Sequence, residues 1–247
     1  MKNPKIGIVI STYQRPDGQT PKLLKRTLDC LLNQTYSNWK LFLMGDHYQN
    51  NSEFQELSSY LPKENILPLN LPHAPERLRY PNGGNNLWNS AGAGAINIGI
   101  ELSVNLGYDY VCHLDHDELW EPNHLEVLAK GIEDTGALML YTKGLVNNQP
   151  MPSIQSEELY IKRRALAYNT VCSATCINYR IIPLRRKDPL YFYNEVDPGD
   201  AAFLTRVNPL LETSNQDSIL INKVTVTHDQ EGYTKTLTPS QIKDLTL

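Results

Sequence analysis

The first 135 residues alternate between two patterns of hydrophobic spacing. Residues 6–10 form a continuous apolar run, which is typical of a strand that is covered on both faces. Leu24, Leu28 and Leu31 then recur at helical spacing, and residues 39–44 predict a second strand. This alternation of strands and helices predicts a parallel sheet.

The alternation resumes after a long irregular segment. Residues 70–90 contain three prolines and no steady period, so we expect a long functional loop there. Ile96 and Ile100 follow at helical spacing, residues 108–114 predict another strand, and Pro122 opens the next helix. The first half of the chain is therefore predicted to build one side of an α/β sheet.

The second half of the chain lacks the regular alternation of strands and helices. Residues 137–146, 170–182 and 224–227 predict strands, and residues 197–207 predict a turn that continues as a helix, so this part of the sheet is mixed. No linker-like composition separates the halves. We predict one α/β domain over residues 1–247, with a Rossmann-like, mostly parallel central sheet flanked by helices and a mixed sheet in the C-terminal half.

The composition narrows the class of protein. With 40% hydrophobic and 20% charged residues, the chain is expected to be soluble and globular. The net charge of -4 argues against a general nucleic-acid binder, which needs a strongly basic face. No apolar run approaches the roughly 20 residues of a membrane span, and the N-terminus lacks a secretory signal. We therefore expect a cytoplasmic protein, with peripheral membrane association left open.

The four cysteines agree with a reducing compartment. They form no CxxC pair, so buried free thiols are expected rather than a metal site or a disulfide. Cys172 and Cys176 are an even number of residues apart, which places them on one face of the predicted strand.

Polar side chains follow three of the predicted strands. Thr12 and Tyr13 with Arg15 follow the first strand, Asp46 follows the second, and the Asp115-x-Asp117 pair follows the strand at 108–114. Ligands of open α/β sheets bind beyond the carboxyl ends of the strands, so we expect one crevice lined by all three groups.

The Asp115-x-Asp117 pair has two interpretations. Alternating carboxylates after an apolar strand present hard oxygen ligands to Mg²⁺ or Mn²⁺, with phosphate oxygens completing the coordination shell. The alternative is electrostatic stabilisation of the helix that begins at Pro122, because acidic residues favour a helix N-terminus.

The opening of the chain resembles a known enzyme family. Residues 6–16, Ile-Gly-Ile-Val-Ile-Ser-Thr-Tyr-Gln-Arg-Pro, are similar to the start of inverting family 2 glycosyltransferases with the GT-A fold. Residues 24–41, which run from Leu-Lys-Arg-Thr to Asn-Trp-Lys-Leu, extend this likeness. The resemblance implies a GT-A fold for this chain.

Later segments resemble the same family. Asn97, residues 107–111 and the Asp115-x-Asp117 segment match the middle of the family pattern, and residues 199–206 resemble the segment that holds its general base. The likeness covers about residues 5–207.

We predict seven donor-binding residues, and the resemblance implies the roles of four of them. Thr12 and Tyr13 would line the nucleoside site, Asp46 would accept a hydrogen bond from the base, often uracil, and Asp115 would face the ribose or the metal. The full donor-binding set is Thr12, Tyr13, Arg15, Asp46, Arg79, Asn97 and Asp115.

The same resemblance implies a metal site and a catalytic base. Asp117 would ligate Mn²⁺ or Mg²⁺, and His228 is a candidate second ligand, although a histidine in a polar turn after a strand explains it equally well. Asp200 would be the base that takes the proton of the acceptor hydroxyl. Asp197 and Glu195 are alternatives in the same segment.

The chain departs from the family pattern in two places. Gly45 stands where the family commonly has an acidic residue before Asp46, and residues 92–95 lack an arginine that the family commonly has before Asn97. Arg77 or Arg79 from the long loop would then contact the diphosphate.

Two basic triplets and several aromatic residues have open interpretations. Residues 162–164 and 185–187 either hold an anionic acceptor or the diphosphate, or form a solvated surface. Trp120 and residues 191–193 either stack on a sugar ring or pack beside the site.

Together these observations predict a metal-dependent glycosyltransferase. It would move a sugar from a nucleotide-sugar donor, with a UDP-sugar favoured, to a glycan or other hydroxyl acceptor with inversion. Residues 1–118 would bind the nucleotide-sugar and residues 119–247 the acceptor. The alternatives are a nucleotidyltransferase of similar fold, a non-catalytic nucleotide-sugar-binding module, and a glycosidase that uses two carboxylates without a metal.

Overall fold

The computed structural model describes residues 2–81, 85–184 and 199–228. These residues form one ten-stranded sheet that is covered by helices on both faces. The strands are β1 Ile6–Thr12, β2 Trp39–Gly45, β3 Ile66–Asn70, β4 Tyr110–His113, β5 Leu119–Trp120, β6 Met139–Val146, β7 Gln149–Met151, β8 Tyr160–Lys162, β9 Thr175–Asn178 and β10 Ile219–Thr227. The α-helices are α1 Thr20–Leu32, α2 Asn51–Ser58, α3 Pro75–Arg79, α4 Asn85–Ser90, α5 Ala93–Asn105, α6 His124–Thr135 and α7 Gly199–Thr213.

The strand order is β3-β2-β1-β4-β9-β6-β10-β5, and β7 and β8 pair with β6 and β10. β1 pairs in parallel with β2 and β4, and β2 pairs in parallel with β3. β9 is antiparallel to β4 and β6, so β6 and its parallel neighbour β10 run in the same direction as β1. The predicted class is confirmed: the sheet is mostly parallel and becomes mixed in the C-terminal half.

The apolar strands bury side chains on both faces of the sheet. Ile8 of β1 packs on the face that α1 and α6 cover, and Val9 packs on the face that α5 and α7 cover. Gly99 lets α5 approach closely, because a Cβ atom there would lie 2.6 Å from a Val9 methyl group. The continuous apolar run at residues 6–10 therefore reflects burial on both sides.

This topology brings distant segments to one edge of the sheet. The carboxyl ends of β1, β2, β4 and β10 all meet there, since these four strands run in one direction. The short strand β5 also pairs with the end of β10, through Trp120 and Val226. Residues that follow these strands are therefore neighbours.

Two predictions of local structure were wrong. The long loop at residues 70–90 contains the short helices α3 and α4. The strand predicted over residues 170–182 is limited to β9, and Cys172 lies in a 3₁₀ turn before it, at Cys172–Ala174. Cys172 and Cys176 therefore do not share a strand face. The apolar run is long because the turn is as buried as the strand.

All four cysteines are free thiols, with Cys112, Cys172 and Cys176 buried and Cys30 half-buried. Within the described ranges, no helix is both long and apolar enough to span a membrane.

Candidate active site

The residues Asp115, His116, Asp117 and Glu118 connect β4 to β5, and we call them the acidic loop. Asp115 is exposed, whereas Asp117 and Glu118 are buried. The loop is a turn in which the Glu118 amide donates to the Asp115 carbonyl. Its Asp115 amide also donates to Ser173 Oγ at 3.1 Å, which links the loop to the turn before β9.

Arg15 is the counterion of Asp117. Its Nη1 lies 3.7 Å from Asp117 Oδ2, and its Nη2 lies 3.0 Å from Asp17 Oδ2. Only 8% of the Arg15 side chain is exposed, so its charge acts in a poorly solvated place. The guanidinium of Arg15, on the turn after β1, thus lies beside a carboxylate that follows β4. The sequence predicts this proximity, because the carboxyl ends of neighbouring parallel strands meet at one edge.

His228 lies on the other side of the acidic loop. Its Nδ1 hydrogen-bonds Glu118 Oε1, and this bond raises the pKa of His228 to about 9. Burial opposes the shift, and the charges of Glu118, Asp115 and Asp117 reinforce it. His228 is therefore protonated at neutral pH. The buried Glu118 Oε2 atom has no hydrogen-bond partner within the described residues.

The donor atoms around the acidic loop fit a divalent cation that is shared with a phosphate ligand. Among the described residues no group of three or more His, Cys, Asp or Glu side chains is preassembled as a metal site. A Mg²⁺ site of one or two carboxylates completed by substrate phosphates needs no such group. Asp117 and the partnerless buried Glu118 oxygen supply hard ligands, and His228 adds a positive charge beside them.

A cavity of about 310 Å³ lies beside the carboxyl ends of β1 and β2. Its walls include Tyr13, Asp46, His73 and Arg77. This volume is at the lower end of the range for small-molecule sites. Tyr13 lines this cavity and its ring also packs against His116, so the cavity and the acidic loop are neighbours, and we call the two together the crevice.

Asp46 is buried at the base of this cavity, with 2% of its surface exposed. Its Oδ2 accepts a hydrogen bond from Arg77 Nε at 2.9 Å, and its Oδ1 has no hydrogen-bond partner within the described residues. Burial raises the pKa of Asp46, and Arg77 opposes the rise. A buried acceptor of this kind favours a ligand that donates a hydrogen bond.

Arg77 also contacts an aromatic ring of the cavity. Its guanidinium carbon lies 3.8 Å from the centre of the Tyr13 ring, a cation–π contact. The edge of the same ring packs against His116 at 5.7 Å between centroids. Tyr13 therefore joins the cavity to the acidic loop. Arg77, one of the two arginines predicted to contact the diphosphate, hydrogen-bonds Asp46.

The neighbourhood of Asp46 explains why Gly45 departs from the family pattern. A Cβ atom at Gly45 would lie 2.9 Å from both the Phe54 ring and Asn70 Oδ1. Thr12 is fully buried, and its hydroxyl hydrogen-bonds the Tyr48 hydroxyl at 2.8 Å. Thr12 and Gly45 therefore have packing roles beside the cavity.

The remaining donor-binding candidates lie further along the chain. Arg79 is exposed at the end of α3, with its guanidinium 5.7 Å from the Tyr80 ring. Asn97 is half-buried one turn into α5, whose N-terminal Gly92 contacts Ser11 of β1. The long segment thus reaches the crevice through Arg77.

Asp200 lies in the first turn of α7 and is half-buried. Its Oδ1 accepts a hydrogen bond from the Ala201 amide at 2.8 Å. Glu195 and Asp197, the alternatives for the base, lie outside the described residues, as do the basic triplet at 185–187 and the aromatic residues at 191–193.

The basic triplet at residues 162–164 lies away from the crevice. Lys162 of β8 pairs with Ile219 at the start of β10, whereas His228 follows the end of β10. A strand of this length spans about 26 Å, at roughly 3.3 Å per residue. Arg164 forms an ion pair with Glu212. This triplet therefore does not hold the diphosphate. The other aromatic candidate, Trp120, is buried and donates to the Ser173 carbonyl, so it packs beneath the site.

Sequence reasoning missed two partners in this site. Glu118 holds His228, and the buried ring of His116 packs on Tyr13, but neither residue is among the candidates from the sequence. Burial lowers the pKa of His116. The sequence signal was position: His116 lies between Asp115 and Asp117, and Glu118 directly follows them.

Comparisons with known protein sequences identify the family of this chain. The sequence model of Glycosyl transferase family 2 matches residues 7–204. Uncharacterized glycosyltransferase R139 of Acanthamoeba polyphaga mimivirus is 33% identical over 241 residues, which cover 94% of this chain and 96% of that protein. The amylovoran biosynthesis glycosyltransferase AmsB of Erwinia amylovora is 30% identical over 128 residues, 51% of this chain and 35% of AmsB.

Solved structures share the fold at low sequence identity. S. aureus TarS 1-349 in complex with UDP-GlcNAc has a TM-score of 0.62 and 16% identity, covering 96% of this chain and 62% of TarS 1-349. The mannosyltransferase PcManGT from Pyrobaculum calidifontis, in complex with GDP-Man and Mn²⁺, has a TM-score of 0.57 and 12% identity, covering 93% of this chain and 59% of PcManGT. This chain thus spans about 60% of the length of either protein.

The fold and the sequence matches together define a glycosyltransferase. Because the family model matches residues 7–204, the chain belongs to glycosyl transferase family 2.

Proposed function

We propose that this chain transfers a sugar from a UDP-sugar to an acceptor hydroxyl, with inversion and with the help of a divalent cation. The observation that carries the proposal is the cavity in which a buried carboxylate oxygen of Asp46 lacks a partner, next to the acidic loop. The crevice thereby offers a buried hydrogen-bond acceptor for a nucleoside and carboxylate oxygens for a divalent cation.

The nucleoside would bind in the cavity between Tyr13 and Asp46. Uracil carries an imide N–H, which would donate to the Oδ1 atom of Asp46. Arg77 donates to the other Asp46 oxygen, Oδ2, which leaves Oδ1 to accept from the base. The UDP-GlcNAc complex of TarS supports a uridine donor, and the GDP-Man complex of PcManGT is the reason to test a guanosine donor beside it.

The diphosphate would lie over the acidic loop. Asp117, with Asp115 beside it, would hold Mn²⁺ or Mg²⁺, and such an ion supplies Lewis-acid stabilisation of the negative charge on the leaving diphosphate. Arg15 is already paired with Asp117 and would contribute a second positive charge to the phosphates. His228 would face the same phosphates through Nε2, because Glu118 occupies Nδ1.

The acceptor hydroxyl would lose its proton to Asp200. A hydroxyl is a weak nucleophile at neutral pH, and a carboxylate that takes its proton during bond formation is worth about 10²–10⁴-fold in rate. Oδ1 of Asp200 accepts the Ala201 amide, which leaves Oδ2 for the proton. Direct displacement with one base inverts the anomeric carbon. In this proposal residues 1–118, together with His228, bind the donor, and the rest of residues 119–247 binds the acceptor.

Calorimetric titration of UDP, GDP and CDP, each with and without Mn²⁺, tests the proposal. We expect UDP to bind most tightly and its affinity to rise when Mn²⁺ is present. Tighter binding of GDP would move the donor to a guanosine sugar. If none of the three binds in the presence of Mn²⁺, the proposed function is wrong.

A further inference from the structure

Three successive peptide carbonyls of the acidic loop accept hydrogen bonds from side chains of α1. The Thr27 hydroxyl lies 2.9 Å from the His116 carbonyl oxygen and 3.0 Å from the Glu118 carbonyl oxygen. Nη2 of Arg26 donates to the Asp117 carbonyl oxygen at 2.9 Å. Two neighbouring helical residues therefore contact every peptide group from 116 to 118 through its oxygen.

This pattern fixes the direction of the acidic side chains. A peptide group is planar, so a bond to its oxygen restrains the orientation of the whole plane. The planes on both sides of Asp117 carry the carbonyls of His116 and Asp117, and those on both sides of Glu118 carry the carbonyls of Asp117 and Glu118. With both flanking planes held, the Cα–Cβ bond of each acidic residue has one direction.

The contact is buried and specific. Thr27 is fully buried, and its hydroxyl has a single proton that is shared between two carbonyl oxygens. A valine at this position has the same shape but no proton to donate, so both carbonyls would lose this partner in a poorly solvated place. A serine keeps the hydroxyl and loses only a methyl group.

The residues that directly follow α1 hold the chain beyond the loop. Gln34 Nε2 donates to the Glu121 carbonyl at 2.8 Å, and its Oε1 accepts the Leu125 amide at 3.0 Å. The amide of Thr35 donates to the Pro122 carbonyl at 2.8 Å. The connection from the acidic loop to α6 is therefore docked along α1 and the residues after it, and Thr27 and Arg26 are the contacts nearest to the carboxylates.

We propose that Thr27 and Arg26 are positioning residues for the cation and diphosphate site. They hold the peptide planes of the acidic loop, and through them the carboxylates of Asp117 and Glu118, in the geometry that binds a divalent cation together with a nucleoside diphosphate. This inference rests on the proposed function. It assigns a role to the helix after β1, which contributes no ligand of its own.

The test compares Thr27→Val with Thr27→Ser by calorimetric titration of UDP, with Mn²⁺ and without it. The quantity compared is the gain in UDP affinity caused by Mn²⁺. Removing a partner that orients a metal ligand typically costs 10–100-fold in metal affinity. We expect the gain in UDP affinity caused by Mn²⁺ to be at least about tenfold smaller in Thr27→Val than in wild type. Thr27→Ser should show the same gain as wild type. UDP binding without Mn²⁺ should be equal in both, because the cavity at Asp46 is untouched.

Leu31→Val on the same helix is the matched control for a general loss of stability. Leu31 is fully buried in the core and its side chain makes no hydrogen bond to the loop. If Thr27→Val does not fold, Arg26→Met is tested in its place. Of the three hydrogen bonds to the loop carbonyls, this change removes only the one to Asp117.

The outcomes separate this inference from the proposed function. If Mn²⁺ raises the UDP affinity of wild type and of Thr27→Val equally, the positioning role is wrong and the proposed function stands. An equal loss in Leu31→Val overturns it too, since general destabilisation then explains the effect. A wild-type chain without any gain overturns both proposals.

Discussion

The Nδ1 atom of His228 hydrogen-bonds a carboxylate oxygen of Glu118, although 110 residues separate them in the sequence. This bond ties the end of β10 to the acidic loop that follows β4. It creates a protonated imidazole next to two further carboxylates, those of Asp115 and Asp117. A positive charge is thus held where the proposed diphosphate would lie.

The pair predicts a pH dependence of stability. The folded pKa of His228 is about 9, above the unfolded value of 6.5, so the stabilisation is fully present below pH 6.5 and is lost as the pH rises through about 9. Because 39% of the side chain is exposed, screening limits the contribution to about 1 kcal/mol or less. Urea unfolding of the metal-free protein at pH 6 and pH 9.5 measures it.

The control for this measurement is His228→Gln. The difference in unfolding free energy between wild type and His228→Gln should shrink from pH 6 to pH 9.5. In a Glu118→Gln background the same His228→Gln change should show no such shrinkage, because the carboxylate partner is already absent. A constant difference for His228→Gln would contradict the assigned pairing.

Asp46→Asn should weaken UDP binding. Asparagine keeps the shape and an acceptor for Arg77, but it removes the negative charge that receives the imide N–H. Hydrogen bonds to charged groups are worth about 1.5–3 kcal/mol, so we expect the UDP affinity to fall about 10- to 100-fold. Titration of UDP without Mn²⁺ measures the effect. Asp109→Asn, at the opposite end of β4, is the control and should bind UDP like wild type.

Asp117→Ala should remove the gain in UDP affinity that Mn²⁺ provides and leave binding without Mn²⁺ nearly intact. The reason is that Asp117 is proposed to hold the cation, whereas the nucleoside binds at Asp46. Asp17→Ala removes the other carboxylate partner of Arg15 and so controls for a disturbed arginine. An undiminished gain in Asp117→Ala would exclude Asp117 as a ligand.

Asp200→Asn should abolish transfer without affecting the donor. The general base contributes about 10²–10⁴-fold in rate, so we expect kcat to fall by this factor. UDP and Mn²⁺ binding should match wild type, because the contacts proposed for the nucleotide and the cation are made by other residues. Activity equal to wild type would assign the base to Asp197 or Glu195, and variants of these two residues would then be compared in the same assay.

Local patterns were sufficient to predict the sheet and the place of the crevice. The apolar run at residues 6–10 predicted a strand buried on both faces, and the alternation with helices predicted the direction of β1, β2 and β4. The coincidence of Tyr13, Asp46 and Asp115 at one edge then follows from strand direction alone. These inferences needed no knowledge of distances.

Contacts between distant segments could not be predicted in the same way. The bond from Glu118 to His228 depends on β10 lying parallel to β6 and pairing with β5, and no sequence period reports this. Arg77 faces Asp46 because a short helix forms inside a segment that looked irregular. The hydrogen bonds from Thr27 and Arg26 likewise depend on the docking of α1 beside the acidic loop.

Release of UDP from UDP-sugars tests the central claim most directly. Each UDP-sugar of a panel would be incubated with the protein and either Mn²⁺ or EDTA, and the reaction followed by ³¹P NMR. We predict that at least one donor releases UDP in Mn²⁺, that EDTA stops the release, and that a suitable hydroxyl acceptor accelerates it. Binding of UDP without release from any sugar donor, even with acceptors present, would contradict the account and indicate a non-catalytic nucleotide-sugar-binding module.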